Sequence, residues 1–400
     1  MLNYMKNNLK FFPILLLPLG CIGLTSTFQV AALLIFLYLY FLKKEIYEYM
    51  TFFKDKRIKI SLIFFLVWIF GIGVSDFVVN NNLKESFNVL QRILPFILVG
   101  FFSIKCEDFF KYAWIGLCIS MVIISCDVLY NFFLQEHWRP TTMFNNPNRL
   151  GGFLILLLPY IYGGFIEYKD NINLKSLGII ASLLGTISLL ISGSRGAIVG
   201  FIIGSIICLF LVQYRHLDLK KALLFVSCGV LLLIIGLSMI YFIFPQIIIR
   251  SYDMERVYLW QSSINIFWDY PIFGIGKGNF NEIYLSGYMN PLAENPNLTS
   301  PHNIFLQFMT ERGLVGIIPF IILLMIQINI LCKGIFMSLH KINIWVCCEI
   351  IVIFGMIIHG MFDTVMNNRT YQLMYWLLYG ISCYSVIFYN QFIGKVINDE

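Results

Sequence analysis

The chain has 400 residues, of which 59% are hydrophobic and only 12% are charged. Soluble globular proteins carry about 25% charged residues, so a soluble domain is excluded as the main architecture. Apolar stretches of about 20 residues, long enough to cross a bilayer as a helix, recur along nearly the whole sequence. Because these stretches are continuous rather than alternating, a β-barrel is excluded. The net charge of +6 forms no basic stripe on a soluble domain, so no nucleic-acid partner is expected.

The pattern predicts an all-α polytopic membrane protein with about twelve transmembrane helices and one long polar loop. Residues 1–400 are expected to form a single integral membrane domain. At the N-terminus, Pro18 precedes Cys21 where a lipoprotein signal needs a small aliphatic residue, so a retained first helix is predicted rather than a cleaved signal. The predicted spans centre on 11–24, 27–42, 60–79, 88–104, 112–134, 149–166, 175–192, 196–213, 221–244, 312–331, 342–362 and 371–390.

Lysine and arginine are distributed unequally between the two predicted faces of the membrane. With the N-terminus inside, most basic residues lie on the cytoplasmic face, as the positive-inside rule expects, and both termini are cytoplasmic. The polar loop at 245–301 then faces out. Basic residues on the cytoplasmic face are mostly lysine, whereas those on the outer face are mostly arginine. The outer set is Lys84, Arg92, Arg139, Arg149, Arg195, Arg250, Arg256, Lys277, Arg312 and Arg369.

An excess of arginine on one face has a chemical interpretation. The planar guanidinium group binds phosphate or carboxylate oxygens two at a time, which topology alone does not require. For any single arginine, a contact with a lipid headgroup or an acidic side chain is the plainer explanation. As a set, the outer arginines indicate a site for a polyanionic group.

Two motifs place arginines beside this loop. Ser192-Gly-Ser-Arg195-Gly forms a tight turn between two spans, with Ser194 as a candidate helix cap and Arg195 at a helix N-terminus, where an anion is favoured. Arg256 and Trp260 lie on a predicted amphipathic helix at the membrane surface. The glycine run that follows, at 274–278, lacks P-loop spacing, and its expected role is to let the backbone approach a ligand or another helix.

A third motif places a histidine at a predicted helix start. Ser300-Pro301 has the pattern of a helix cap followed by a first helical residue, so His302 is expected in the first turn. The helix dipole there keeps the imidazole neutral, which suits a general base near pH 7. A structural role for His302 is an equal alternative.

The remaining ionisable residues give weaker signals. Asp127 lies within a span and receives no assigned role. His359 and Asp363 are four residues apart, and a structural hydrogen bond is expected between them rather than catalysis. No cluster has zinc spacing and no carboxylate pair fits a divalent metal, so metal-independent chemistry without a cofactor is expected.

The motifs taken together, and in this order, resemble the O-antigen ligase and polymerase superfamily, bacterial inner-membrane glycosyltransferases that use undecaprenyl-diphosphate-linked glycans. The resemblance runs from about 144 to 379 and includes a His-Asn, nine residues, Gly, two residues, Gly pattern that starts at His302. It implies the all-helical GT-C type of fold found in glycosyltransferases of lipid-linked sugars, and an active site that faces the periplasm. By this resemblance, Arg195 and Arg256 hold the diphosphate and His302 activates the acceptor hydroxyl. Arg312, Arg250, Arg149 and Asn303 are then expected to contact substrate.

The resemblance leaves the reaction open between two members of the superfamily. A ligase joins finished O-antigen to lipid A–core, and a polymerase extends an O-antigen or exopolysaccharide glycan on its undecaprenyl carrier. The ligase is preferred, with membrane lipids as the surrounding partners. A transporter of an anionic substrate is a third alternative, although its site would be expected near the middle of the bilayer on repeated half-structures.

Overall fold

The computed structural model describes residues 11–23, 51–102, 108–136, 139–140, 142–216, 253–337 and 342–398, together with the single positions 220, 221, 224 and 227. These ranges are helical apart from their connections, and no strand is assigned within them. The α-helices are α1 (Phe11–Cys21), α2 (Thr51–Lys54), α3 (Lys56–Asn80), α4 (Lys84–Arg92), α5 (Leu94–Phe102), α6 (Phe109–Phe133), α7 (Pro147–Glu167), α8 (Ile172–Ile191), α9 (Arg195–His216), α10 (Asp253–Asp269), α11 (Phe280–Ile283), α12 (Ile304–Met337), α13 (Ile344–Gly360) and α14 (Arg369–Asn398).

Six of the described helices are long and apolar enough to cross a membrane, namely α3, α6, α7, α8, α9 and α12. The predicted span at 27–42 lies outside the described residues, and so does the span at 221–244 apart from its single positions 221, 224 and 227. The predicted span at 11–24 forms a helix of only 11 residues. The prediction of one span at 88–104 is wrong, because α4 and α5 are separate nine-residue helices. Pro95 follows their junction and has no N–H to continue the hydrogen-bond ladder of α4.

Helix α7 lies at the centre of the bundle. Asn146 caps it by accepting hydrogen bonds from the backbone N–H groups of Asn148 (2.7 Å) and Arg149 (3.2 Å), and Pro147 occupies the first turn. Every side chain from Leu150 to Ile161 is buried. A helix that is apolar on all sides is stable only when surrounded, and α6, α8, α9, α13 and α14 pack around α7.

Close packing between α9 and α13 sets the position of the start of α9. A Cβ atom added to Gly200 would lie 2.6 Å from the carbonyl oxygen of Gly355, and one added to Gly204 would lie 2.6 Å from that of Ile351. Small residues allow membrane helices to approach at backbone distance. As a result, the first turn of α9 lies beside the end of α13.

Helix α12 is interrupted at Gly313, whose φ of 61° and ψ of −160° are not helical. The segment 271–276 binds at this interruption through backbone hydrogen bonds. Ile275 N–H donates to the Thr310 carbonyl (2.8 Å), and Leu314 N–H donates to the Pro271 carbonyl (2.8 Å). The interruption therefore supplies the N–H and C=O groups that a regular helix keeps for itself.

The glycines of this segment permit the close approach. Gly274 has φ of +68°, and a Cβ atom there would lie 2.5 Å from the carbonyl oxygen of Thr310. This contact confirms the prediction that the glycine run lets the backbone approach another helix. The predicted start of the span at 312–331 coincides with the interruption at Gly313, and α12 also includes a preceding helical segment from Ile304.

Candidate active site

A cavity of about 260 Å³ lies where the ends of α7, α9, α12 and α13 meet the start of α10. Its wall includes Arg195, Arg256 and His302, the three residues predicted from the sequence to be catalytic. These residues are far apart in the chain, and the helix packing brings them to one place. We call this space the arginine cavity.

Arg195 is the first residue of α9. The turn before it requires Gly193, whose φ is +59°, a conformation that costs other residues about 1–2 kcal/mol. The N–H groups and the dipole at a helix N-terminus favour an anion, and the guanidinium group adds a full positive charge. The start of α9 is therefore electrostatically suited to a phosphate group.

Arg139 is an arginine of the cavity wall that sequence reasoning did not single out. It packs across Gly193, where an added Cβ atom would lie 3.3 Å from its Nε atom. Its Nη2 atom also donates a 3.0 Å hydrogen bond to Asn148, another residue of the wall. The sequence signal was its place in the outer arginine set, which did not distinguish it from arginines elsewhere on that face.

The motif of Arg256 and Trp260 contains the residue that connects α10 to the loop that carries His302. Arg256 and Trp260 are one helical turn apart on α10, as predicted. The indole N–H of Trp260 donates a 3.2 Å hydrogen bond to the carbonyl oxygen of Pro301. The hydroxyl groups of Ser300 and Thr364 lie 3.3 Å apart and form a second attachment of this loop.

The prediction that His302 lies in the first helical turn is wrong. Helix α12 begins at Ile304, and the side chain of Asn303 caps it by accepting hydrogen bonds from the N–H groups of Phe305 (2.9 Å) and Leu306 (3.1 Å). His302 precedes the cap with φ of +49°, a left-handed conformation that is uncommon outside glycine. Because Asn303 uses its side-chain oxygen as the cap, it holds the helix start while His302 turns toward the cavity wall.

The surroundings of His302 keep its imidazole neutral. Burial is the main effect that lowers the pKa of His302 below its usual value of 6.5. The positive charges of Arg256 and Arg149 lower this pKa further, while the carboxylate of Asp363 opposes them. Arg149 is exposed at the start of α7 and acts here through its field. A neutral imidazole at pH 7 can accept a proton.

Two further residues of the wall, His359 and Asp363, were expected to have structural roles only. Asp363 lies beyond the end of α13 rather than on it, and its carboxylate accepts the N–H of Thr364 (2.6 Å). The ring of His359 fits between Gly152 and Gly196, where added Cβ atoms would lie 2.8 Å and 3.1 Å from ring carbons. The signal in the sequence was a pair of ionisable groups at the end of an apolar helix.

His359 also contacts the turn before α9. Its Nε2 atom lies 3.5 Å from the hydroxyl oxygen of Ser194. The side chain of Ser194, a predicted helix cap, therefore points toward the histidine. Asp127 has a structural role as well, since its carboxylate accepts the backbone N–H of Met143 (3.0 Å) and so holds the connection that leads to α7.

Polar atoms at the cavity wall lack protein partners. Within the described ranges, Glu255 Oε2, His359 Nδ1 and Asp363 Oδ2 are buried and make no hydrogen bond. Buried polar atoms in folded proteins nearly always have a partner, protein or water. The wall therefore offers acceptors and a ring nitrogen to a polar ligand. Among the same described residues, no group of three or more His, Cys, Asp or Glu side chains is arranged to hold a metal ion.

The other residues expected to contact substrate are placed differently. Arg250 lies outside the described residues. Arg312 forms a buried ion pair with Asp76 of α3, and its side chain is 3% exposed. It borders a second, smaller cavity together with Glu85 and Lys277, which form another ion pair. The structure thus brings Arg195, Arg256 and His302 together and places Arg312 in a separate charged cluster.

The fold and the cavity define a class, namely an all-helical membrane protein of several spans with an arginine- and histidine-containing site at one end of its bundle. Residues 180–321 match the family described as O-Antigen ligase, which confirms the superfamily resemblance drawn from the motifs. The matched segment contains Arg195, Arg256 and His302, whereas Arg139, His359 and Asp363 lie outside it.

Two curated proteins resemble the chain over longer ranges. The teichuronic acid biosynthesis protein TuaE of Bacillus subtilis (strain 168) is 24% identical over 295 residues, which are 64% of this chain and 58% of the relative. An uncharacterized protein of Haemophilus influenzae is 24% identical over 325 residues, 74% of this chain and 77% of the relative. The alignment with TuaE therefore spans less than two thirds of that protein.

Proposed function

We propose that this protein is an O-antigen ligase that transfers a glycan from undecaprenyl diphosphate to lipid A–core, with inversion at the anomeric carbon and without a metal ion. The observation that carries the proposal is the shared cavity of Arg195, Arg256 and His302. In this proposal the protein lies in the bacterial inner membrane, its termini are cytoplasmic, and the arginine cavity faces the periplasm. The fold is proposed to be of the GT-C type, with the 245–301 loop as part of the active site.

The arginines act on the leaving group. As the bond between the anomeric carbon and the diphosphate oxygen breaks, its electron pair and negative charge move to the diphosphate. Arg195 and Arg256 are held at a helix start and on a helix, so their positive charges are in place before the reaction. Such preorganised charge stabilises a transition state more than mobile water does. Arg139, on the same wall, is proposed as a third contact.

His302 acts on the acceptor. Its neutral ring accepts the proton of an acceptor hydroxyl, while that oxygen forms the new bond to the anomeric carbon from the face opposite the diphosphate. The resulting imidazolium is stabilised by the carboxylate of Asp363, which raises the pKa of His302. The proton thus passes to His302, and the electron pair leaves with the diphosphate that the arginines hold.

A polymerase reaction is the alternative, and one comparison favours it. TuaE carries a name that refers to teichuronic acid biosynthesis rather than to O-antigen ligation. The same cavity would serve this reaction, because the donor diphosphate and the proton transfer are unchanged and only the acceptor differs. Transport of an anionic substrate remains as a third possibility that the same experiment tests.

The experiment is reconstitution of the purified protein in vesicles with a radiolabelled polyprenyl-diphosphate glycan and lipid A–core. Label on lipid A–core supports the ligase. Longer glycan on the carrier, with no label on lipid A–core, overturns it in favour of the polymerase. Label that crosses the bilayer without any glycan transfer overturns both in favour of transport.

A further inference from the structure

A further recess lies along α10, nearer the end of this helix than the arginine cavity. It has a volume of about 630 Å³ and is formed by Gln261, Ser262, Asn265 and Asp269 of α10 together with residues 287–291. We call it the polar groove. Its size is within the range of about 300–1,000 Å³ typical of ligand sites.

Side-chain hydrogen bonds hold the wall of the groove in place. The hydroxyl group of Tyr288 donates a 2.6 Å hydrogen bond to Asp269, and the amide of Asn290 donates a 2.9 Å hydrogen bond to Gln261. These two bonds hold the loop against α10 along about two helical turns. Gly287, directly before Tyr288 in the groove wall, has φ of +145° and no atom within 4 Å of an added Cβ atom, so this part of the groove is open.

The chemistry of the groove differs from that of the arginine cavity. Its wall has amide, hydroxyl and carboxylate groups and no lysine or arginine. Such a surface is poorly suited to a phosphate, whereas paired donors and acceptors of this kind match the hydroxyl groups of a sugar. Trp268 does not line the groove, but it lies one turn beyond Asn265 on α10 and is 69% exposed, so its ring is available to a sugar that extends past the groove.

The groove and the cavity are joined along one helix. Glu255 lines the cavity and accepts the backbone N–H of Glu294 (2.8 Å), while Asn290 binds Gln261 further along α10. The loop therefore runs beside α10 from one site to the other. Arg256 and Asn265 are about 14 Å apart along the axis, at a rise of about 1.5 Å per residue. A chain of sugars attached at the cavity can extend into the groove.

We propose that the polar groove is a saccharide-binding subsite that holds sugar residues away from the reacting one. The proposal rests on the glycan-transfer function proposed above. It adds a binding site for the sugars of the glycan that do not react. The sugars belong either to the carrier-linked donor or to the acceptor, and the two sources share the same neutral, hydroxyl-rich chemistry.

The first test is a binding measurement on the full-length protein in detergent. The probe is the glycan that mild acid releases from the carrier-linked pool of the cells that make this protein. Its binding to the protein is measured by calorimetry. We expect Asn265→Ala to weaken binding at least tenfold, and Asn265→Trp, which fills the groove without removing either loop bond, to weaken it further. Gln135→Ala changes an exposed amide outside the groove and is the matched control, with unchanged binding.

Binding that is the same in the wild type and both Asn265 variants overturns the proposal. Inorganic pyrophosphate, titrated separately, probes the arginine cavity. If pyrophosphate does not bind the wild-type protein, the proposed function fails while the groove result stands. If pyrophosphate binds equally to wild type and Asn265→Trp, the two sites are separate and the variant is folded.

Kinetics then separate the two sources of sugar. If the groove holds the donor, Asn265→Trp raises the KM for carrier-linked donors of several repeats. The KM for a donor of one repeat then changes little. A groove that holds the acceptor makes the same variant raise the KM for the acceptor alone. No change in either KM contradicts the subsite.

Discussion

The indole N–H of Trp260 donates a 3.2 Å hydrogen bond to the carbonyl oxygen of Pro301, the residue before His302. This bond ties the helix that carries Arg256 to the loop that carries the proposed base. Arg256 lies one helical turn before Trp260 on this helix. The tryptophan contributes by positioning, since its N–H is committed to the backbone.

We therefore expect Trp260→Phe to lower kcat roughly tenfold, because it removes one hydrogen bond while keeping most of the ring. A tenfold loss corresponds to about 1.4 kcal/mol, near the upper end of what one neutral hydrogen bond contributes. Single-turnover glycan transfer measures it. A variant with wild-type kcat and an unchanged pH profile would show that the bond does not position His302.

The pH dependence follows from the neutral state of His302. Because burial and nearby arginines lower its pKa below 6.5, activity should be constant near pH 7–8 and fall only as the pH drops through that lowered pKa. Arg149→Ala removes one of the charges that lower the pKa, so the acid limb should move to higher pH. An acid limb that stays in place or moves to lower pH in this variant would contradict the assignment of His302 as the base.

The buried pair of Arg312 and Asp76 predicts a loss of stability rather than of chemistry. Arg312→Met leaves a buried carboxylate without its partner, which costs about 3–5 kcal/mol. The double variant Asp76→Leu with Arg312→Met removes both charges and should unfold at a higher temperature than the single variant. Thermal unfolding in detergent measures both. A stable Arg312→Met variant without transfer activity would instead return Arg312 to the substrate-binding role expected from the sequence.

Two glycines in one loop allow a matched test of the close packing against α12 at Gly313. Gly274 and Gly278 both have positive φ, +68° and +91°, but only Gly274 approaches another backbone closely. Gly278→Ala should cost about 1–2 kcal/mol from its left-handed conformation alone. Gly274→Ala should cost about 1–3 kcal/mol more because its Cβ atom meets the Thr310 carbonyl. Equal losses of stability in the two variants would show that the close approach is not required.

The sequence was informative where a motif has a local cause. Arg195 begins a helix after a glycine turn, and Arg256 lies one turn before Trp260, as predicted. The start of α12 was predicted three residues too early, which put His302 inside the helix, because Asn303 and not Ser300 is the cap. Asparagine and serine are both strong cap residues, and the local pattern does not decide between them.

Contacts between residues distant in the chain could not be predicted from local sequence patterns. The slot for His359 between Gly152 and Gly196 depends on how α7, α9 and α13 meet, and no local pattern specifies that. In the sequence, Arg312 does not differ from the other outer arginines, because its ion-pair partner Asp76 is distant in the chain. The same limitation applies to the polar groove, because its second wall begins at Gly287, a residue of unusual backbone geometry.

The most direct test of the account is single-turnover transfer from a polyprenyl-diphosphate glycan by His302→Ala and Arg256→Ala, each compared with wild type in vesicles without added metal. Removal of a general base or of one preorganised charge typically costs about 10²–10³-fold in rate. We predict losses of at least that size in both variants, with unchanged insertion and unfolding temperature. Near-normal transfer by both folded variants would contradict the proposed roles of the arginine cavity.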